Sequence, residues 1–448
     1  MNAPILLVAN RGEIALRVIR AARGLGLGTV SVHSEADAEL PHVYAADRSI
    51  CIGPARPQDS YLNTAAILQA ARNSGATLIH PGYGFLSENA DFAEACRDAG
   101  LVFVGPAPAH IRLMGDKNNA RAAAVAAGVP VLPGTERLPE EPALWPASGD
   151  AVGYPLLVKA VAGGGGHGMR AVDNADQLVD AITQVRQVAA RAFGDDGAYL
   201  ERFLPRARHI EVQVFGFGNG EAVHLFERDC TVQRRHQKVI EEAPAPNLPA
   251  PLRQSMTDAA LRLTRSIGYA GAGTVEYLYD PDQSAFYFLE MNTRIQVEHP
   301  VTEMVTHTDL VAAQIRLALG EDISADLVQE QITLDGHSIE VRIYAENPAK
   351  RFLPSPGKLE TLILPGGEGI RVECGYAQGD TVTPFYDSMV LKLVAHGKDR
   401  PGAIARLVSA LEVLRIEGIH TNASFAADLL AEDLFVGAKH DTRMLERV

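Results

Sequence analysis

Two glutamates in the middle of the chain, Glu276 and Glu290, stand where a strand pair would set them face to face. Glu276 belongs to Gly273-Thr274-Val275-Glu276-Tyr277-Leu278-Tyr279, which has the β-branched and aromatic content of a strand. Asp280-Pro281-Asp282-Gln283-Ser284 follows with turn-forming residue types. A hairpin centred near Gln283 then puts Glu276 opposite Glu290. Carboxylates directly across a strand pair repel each other. A divalent cation relieves that repulsion, and hard oxygen ligands suit Mg²⁺. Asn292, two residues on, shares the face of Glu290 and can offer a third oxygen. A register slip of one residue would turn one of the acids to the other face.

The run from Glu290 to Glu298 is polar at every even position: Glu290, Asn292, Arg294, Gln296 and Glu298. An extended chain would point these one way and Met291, Ile295 and Val297 the other. A solvated edge strand would show the same alternation. A second segment, Glu227 to Lys238, holds four arginines or lysines, a histidine and two acids in twelve residues, Gln233 and His236 among them. Such a run reads either as a solvated charged face or as the cationic site of an anionic reactant. Arg294, Lys238 and Arg342 can hold a carboxylate-like anion by charge-assisted hydrogen bonds.

Four consecutive glycines, Gly163 to Gly166, lead into His167-Gly168-Met169-Arg170 just after the strand-like run that contains Lys159. Bare N–H groups in such a loop can face phosphate oxygens. No Gly-Lys-Ser/Thr follows, so it is not a Walker A loop. A flexible linker is the alternative. His80 to Asn89 follows a strand candidate, and ligands gather at the carboxyl ends of strands in open α/β sheets. Gly82 and Gly84 suit a tight turn there that exposes Tyr83, although a purely structural turn fits the segment as well.

The elements that must position these groups follow from periodicity. Ile5–Ala9, Gly28–His33, Ala76–His80 and Phe103-Val104 read as strands, with helices over Gly12–Leu25 and Thr64–Arg72 between them. This alternation implies a doubly wound parallel sheet. Prolines at 130, 133, 139, 142 and 146 mark a linker or irregular loop from Val129 to Pro146. A small module runs from about Val152 to Leu204, with a strand at Leu156–Lys159 and a helix over Ala175–Ala192. Strands follow at His209–Phe215, Gly273–Tyr279, Ala285–Met291 and Ile339–Tyr344, with a helix over Ala403–Val413.

The 448 residues are 47% hydrophobic and 21% charged, which allows a large core spread over several domains. A formal net charge of −14 argues against a general nucleic-acid binder. No eighteen-residue apolar run and no basic-flanked leader occur, so neither a membrane span nor a signal peptide is expected. The cysteines at 51, 96, 230 and 374 have neither metal nor redox spacing, which points to the cytoplasm.

Taken together, the segments resemble the biotin carboxylase family of ATP-grasp enzymes. The likeness runs through Ala9 to Ala15, His80 to Asn89, Leu113 to Lys117, the glycine loop, Gln233 to Pro246, Glu290 to Thr302 and Phe352 to Gly357. Arg234-Arg235-His236-Gln237-Lys238 and Met291 to Pro300 carry most of it. The resemblance implies an α/β and α+β multidomain fold. An N-terminal doubly wound domain would span 1–114, a linker helix 115–131, a lid domain 132–204 and a C-terminal, mainly antiparallel domain 205–448. ATP would lie between the lid and the C-terminal domain. By motif, ATP would be held by Lys117, Lys159, Gly165, Gly166, Met169, Gln233 and His209. Glu201 and Leu204 would face adenine, and His236 the ribose. Glu276, Glu290 and Asn292 would hold Mg²⁺ or Mn²⁺, as two ions. Lys238, Arg294, Gln296 and the backbone of Val297 would bind bicarbonate, with Glu298 as its general base. Arg342 would stabilise the biotin enolate, and Tyr83 would lie near the biotin ring. His167 stands where the family has Arg or Lys, and the Pro-rich stretch around Trp145 replaces a helical sequence.

The implied activity is ATP-dependent carboxylation of biotin by bicarbonate, the first half-reaction of an acyl-CoA carboxylase such as the acetyl-CoA carboxylase of fatty acid biosynthesis. The alternatives are another ATP-grasp carboxylate–amine ligase and a non-catalytic nucleotide-sensing subunit. No Met-Lys dipeptide, the biotin-attachment motif of a carrier domain, is present, and the chain ends soon after the third domain. A separate biotin carboxyl carrier protein and a carboxyltransferase are the expected partners, the transferase setting the final acceptor. Arg17 and Arg20, on one face of the first helix, suit a homodimer interface or a solvated face equally.

Overall fold

Ile5–Val8 is the middle of five parallel strands, in the order Arg48–Cys51, Gly28–His33, Ile5–Val8, Leu78–His80, Val102–Phe103. The computed structural model describes residues 3–161, 169–193, 195–235 and 237–447. Side chains of the central strand alternate between two buried layers. Leu6 and Val8 pack with Ile14, Val18 and Ile19 of the helix Gly12–Gly24. Leu7 packs on the other face with Tyr61, Ile67 and Phe92. Burial on both faces is why these strands read as continuous apolar runs. The edge strand Arg48–Cys51 is largely exposed and has no such run, so periodicity misses it.

The contacts divide the chain into two compact units: Met1–Val129, Arg208–Tyr277 and Glu290–Val448 form one, Pro130–Ala207 and Leu278–Leu289 the other. The first unit also carries most of an eight-stranded sheet. Its order is Ala285–Asn292, Ala270–Asp280, Arg208–Phe217, Ala222–Arg234, Gln237–Ala243, His337–Tyr344, Met389–Gly397, Ile370–Cys374. From Arg208–Phe217 onward the pairings are antiparallel. On one face, Ile339, Val341 and Ile343 join Leu391, Leu393, Leu407 and Leu411 in a core that includes the helix Arg400–Val413. On the other lies the helix His299–Thr306, whose Val301 and Val305 pack on Ala243 and Val394.

Arg228 ties that helix to the sheet. The guanidinium is fully buried. It donates to Glu211 Oε1 at 2.7 Å, Gln213 Oε1 at 2.8 Å, Thr302 Oγ1 at 2.9 Å and Thr274 Oγ1 at 3.2 Å. The charged segment around it is therefore not a solvated face: Glu227 to Val232 are all buried within the strand Ala222–Arg234.

The second unit has a three-stranded antiparallel sheet, Met169–Val172, Leu156–Ala160, Ala198–Arg202, covered by the helix Leu178–Phe193 through Leu178, Ile182 and Val185. The Pro-rich stretch is irregular over 129–144 apart from isolated bridges and one 3-10 turn, and a helix over Trp145–Val152 begins at its end. Pro146 sits in its first turn, where a missing N–H costs nothing. Trp145 is buried and donates from Nε1 to the Pro139 carbonyl at 2.8 Å. The hairpin tip Leu278–Leu289 joins this unit through Leu278 and Tyr287, packed on Leu132, Leu204 and Ala207.

Replacing Arg228 with Ala should destabilise the protein by about 3–5 kcal/mol, because it takes one of the two cations from buried Glu211 and leaves Gln213, Thr274 and Thr302 without their shared donor. Urea unfolding of the two proteins measures this, and a change below about 1 kcal/mol would show that the arginine does not hold helix and sheet together.

Candidate active site

Three carboxylates from three elements meet one ammonium. Lys238, on the strand Gln237–Ala243, places Nζ 2.5 Å from Glu211 Oε2, 3.2 Å from Glu276 Oε1 and 2.5 Å from Glu298 Oε1. Glu211 comes from the strand Arg208–Phe217 and Glu276 from Ala270–Asp280. Glu298 is the residue that begins the helix His299–Thr306. Burial works against the lysine's charge, yet the surrounding acids hold its pKa well above the usual value. Burial likewise opposes ionisation of Glu298, but Lys238 first, then Arg342 and Arg228, bring its pKa below the ordinary carboxylate range. Glu298, fully buried, is thus an ionised base held by cations.

Arg342 takes the other oxygen of Glu298. Its Nη2 donates to Glu298 Oε2 at 2.9 Å and its Nε to Glu241 Oε1 at 2.5 Å. Cross-strand from Arg342, Lys392 is fully buried and donates to the Val297 carbonyl at 2.6 Å. Its ammonium lies 3.3 Å from Glu13 Oε1 and 5.9 Å from the centre of the Tyr83 ring. Tyr83 is half-buried rather than exposed, and its hydroxyl bonds to Glu13. The turn that carries Tyr83 is as expected: Gly82 has φ +62°, and a Cβ there would stand 2.9 Å from Asn10 Nδ2. Asn10 Nδ2 needs that space, since it donates to the carbonyls of Pro81 and Tyr83, each at 2.7 Å.

Arg294 is held in a fan. It donates from Nε to Glu88 Oε2 at 2.9 Å, from Nη1 to Gln296 Oε1 at 3.0 Å and from Nη2 to Asn292 Oδ1 at 3.0 Å. Here the extended reading of Glu290 to Glu298 fails. The strand ends at Asn292, and Thr293 to Glu298 form a loop and turn. Arg294, Gln296 and Glu298 converge because the chain curls into a helix start, not because they alternate along a strand. Asn292 Nδ2 donates to Glu276 Oε1 at 2.8 Å and its oxygen accepts from Arg294, so it bridges acid and arginine.

Glu276 and Glu290 do come together electrostatically. Desolvation raises the pKa of Glu290, Glu276 raises it further, and His209 and Lys117 oppose the shift. Glu276 itself is held low, because Lys238 and His209 outweigh its burial. His209 Nε2 lies 2.9 Å from Glu276 Oε2. Burial would lower the imidazole's pKa, but Glu276 and Glu211 push it up to about 9. Glu290 is disfavoured as an anion by desolvation and by the like charge of Glu276, which is the setting a divalent cation relieves. The residues present therefore fit Mg²⁺.

Gln233 Nε2 donates to the Cys230 carbonyl at 2.7 Å. Lys117 opens the helix Lys117–Ala126 with an exposed side chain. In the second unit, Lys159 and Glu201 form an ion pair diagonally across adjacent strands, Leu204 is buried, and Met169 is exposed at the start of its strand. Gly165, Gly166, His167 and His236 lie outside the described residues.

Glu211, Glu241, Arg228, Glu88 and Lys392 escaped the sequence reading. Glu211 carried a signal, since it lies two residues from His209 and so shares its strand face. Lys392 carried none: its place depends on a strand pairing fifty residues away from Arg342. Arg17 was misread. It is buried against Glu303 at 2.9 Å and Asp309 at 2.6 Å, so it faces neither solvent nor a second subunit. Arg20 pairs with Glu373.

Replacing Lys238 with Met should cost about 3–5 kcal/mol of stability at pH 7, because buried carboxylates lose their cation. In the native protein the lowered pKa of Glu298 contributes stability above the unfolded carboxylate value, which is lost as pH falls. In the variant the stranded carboxylates bind protons more readily, so the penalty should shrink between pH 7 and pH 5. Urea unfolding at both values checks this; a penalty that grew on acidification would contradict it.

Residues 3–111 match the family described as biotin carboxylase, N-terminal domain. Residues 116–326 match the ATP-binding domain of the carbamoyl-phosphate synthase L chain, and residues 340–447 the biotin carboxylase C-terminal domain. The chain is 48% identical to biotin carboxylase 1 of Bacillus subtilis over 98% of each protein. Among solved structures, a biotin carboxylase–βγ-ATP complex from Campylobacter jejuni is 44% identical, with a TM-score of 0.91 over 99% of this chain and 98% of that one. The biotin carboxylase domain dimer of Hydrogenobacter thermophilus 2-oxoglutarate carboxylase, in complex with MgADP, ADP and bicarbonate, is 43% identical. Its TM-score is 0.89 over 99% of this chain and 97% of that one. With three domain matches in order and near-complete coverage, the chain belongs to the biotin carboxylase family of ATP-grasp enzymes.

Proposed function

We propose that this enzyme carboxylates biotin with ATP and bicarbonate, with Glu298 as the base, giving ADP, phosphate and carboxybiotin. The observation that carries the residue assignment is the contact of one buried carboxylate, Glu298, with both Lys238 and Arg342. Bicarbonate is an anion that must lose a proton, so its site needs cations and a base together. Lys238, Arg294, Gln296 and the Val297 backbone supply the anion site. Glu298, ionised at neutral pH, takes the proton, and the bicarbonate oxygen attacks the γ-phosphoryl of ATP. Mg²⁺ held by Glu276 and Glu290, with Asn292 beside them, would neutralise charge on the transferring group. Two ions, Mg²⁺ or Mn²⁺, fit the charge of ATP and these acids. Carboxyphosphate then releases CO₂ and phosphate, and phosphate removes the ureido proton of biotin. Arg342 stabilises the enolate that forms, and Tyr83 lies beside the biotin ring.

Lys117, Lys159, His209, Met169 and Gln233 hold the nucleotide in this reading, with the glycine-loop amides of Gly165 and Gly166. Glu201 and Leu204 face adenine, and His236 the ribose. Biotin arrives on a carrier protein, and a carboxyltransferase partner sets the acceptor, as in an acetyl-CoA carboxylase serving fatty acid biosynthesis. The free cysteines and the absence of any membrane-crossing helix among the described residues favour the cytoplasm. A homodimer is supported by the dimeric Hydrogenobacter thermophilus relative.

Purified protein should hydrolyse ATP slowly and faster when free biotin and bicarbonate are present. Glu298→Gln should lower the biotin-dependent rate by at least about 10²-fold, the scale of a lost general base, and leave MgATP binding nearly intact. Loss of MgATP binding instead would make Glu298 a metal ligand. Stimulation by an amine and not by biotin would favour a carboxylate–amine ligase. Binding without turnover would favour a nucleotide sensor. Sedimentation of the purified chain should show a dimer; monomer at all concentrations would remove the homodimer.

A further inference from the structure

Glu340 is fully buried, two residues before Arg342, and among the described residues neither of its carboxyl oxygens has a hydrogen-bond partner. Directly across the strand pair stands Glu241, also fully buried. Residues opposed in this way share a face, with Cβ atoms about 5 Å apart. Glu241 accepts at Oε1 from Arg342 Nε at 2.5 Å, while its Oε2 has no partner among the described residues. Three carboxyl oxygens are thus orphaned on adjacent strands, beneath the helix that Glu298 begins.

Nearby cations do not resolve this. Lys392, two residues from the Val394 that pairs with Glu340, directs its ammonium to the Val297 carbonyl and Glu13. Arg342 is engaged by Glu241 and Glu298. Ala243, Val301, Val305 and Val394 form an apolar cluster around this part of the sheet. Two ionised carboxylates side by side against apolar side chains would repel with little screening. A single proton removes the conflict, because a carboxylic acid donates where a carboxylate accepts.

We propose that Glu340 is a positioning residue for the biotin half of the reaction: a neutral carboxylic acid whose O–H donates to Glu241 Oε2 and so fixes the carboxylate that aims Arg342. Burial raises Glu340 well above the usual range, with Glu241 and Glu298 adding to the rise and Lys392 and Arg342 opposing it. Burial also raises Glu241, to about 7, against the pull of Arg342. The two titrate as a pair that keeps one proton. Held from behind in this way, Arg342 keeps its outer nitrogen on Glu298 and its charge turned toward the substrate. This inference rests on the reading in which Arg342 stabilises the biotin enolate.

Glu340→Gln replaces the O–H with an amide N–H donor and no charge. It should keep kcat/KM for biotin within about twofold of the native enzyme. Glu340→Leu removes the donor and orphans Glu241 Oε2. It should lose about tenfold in kcat/KM for biotin, the scale of one unsatisfied buried group, with KM for MgATP unchanged. Infrared spectra at pH 7 should show the C=O stretch of a buried protonated carboxylic acid in the native protein and not in Glu340→Gln. Absence of that band, a Gln variant as impaired as the Leu variant, or an unimpaired Leu variant would each overturn the proposal. Should Glu340→Leu fail to fold, the infrared difference and the Gln variant still decide. A native enzyme indifferent to biotin would sink the reaction reading and leave the infrared result standing on its own.

Discussion

Lys238 is the node of this molecule's chemistry. One ammonium is shared by Glu211, Glu276 and Glu298, and each acid performs a different task because of what else it touches. Glu211 is fixed from behind by Arg228 and serves as a support. Glu276 is met by His209 and looks toward Glu290. Glu298 is met by Arg342 and is held as a carboxylate, its pKa brought down by the cations around it. So many buried charges persist only because each is paired, since an unpaired charge in the interior costs several kcal/mol.

The fold meets that constraint with two devices. The antiparallel sheet sets acids and cations on neighbouring strands side by side, which gives the Glu211–Arg228 and Glu241–Arg342 ion pairs. The start of the helix His299–Thr306 then brings Glu298 over them. Arg228 locks the two together, reaching two strands beyond its own and Thr302 of that helix. The site is therefore rigid on its sheet side. That rigidity suits a reaction whose demands are positioning and charge stabilisation.

Much of this could be read from the residues alone, and the failures are physical. Apolar runs such as Ile5–Val8 and Gly28–His33 announce themselves because both faces are buried. The strand Arg48–Cys51 does not, because it lies exposed at an edge. Alternation placed Glu290 and Asn292 on a strand but carried the same pattern too far. Beyond Asn292 the chain turns into a helix start, which produces polar residues at even positions for a different reason. The charged run at Glu227–Lys238 looked as much like a surface as a site, because composition does not reveal that its charges meet partners on other elements: Glu227 meets Arg253, Arg228 meets Glu211 and Asp229 meets Arg208. Lys392, Glu88 and Glu13 enter from distant parts of the chain, and only tertiary packing brings them in. The opposite error befell Arg17, whose place on an amphipathic helix suggested an outward face where an internal ion pair exists.

The central claim is that this cluster turns bicarbonate into a nucleophile toward the γ-phosphoryl group. The most direct measurement follows heavy oxygen from labelled bicarbonate during biotin-dependent turnover. Attack by bicarbonate leaves one of its oxygens on phosphorus when carboxyphosphate breaks down, so each phosphate released should carry one labelled oxygen. Phosphate that takes its new oxygen from water alone, while carboxybiotin still forms, would contradict the account.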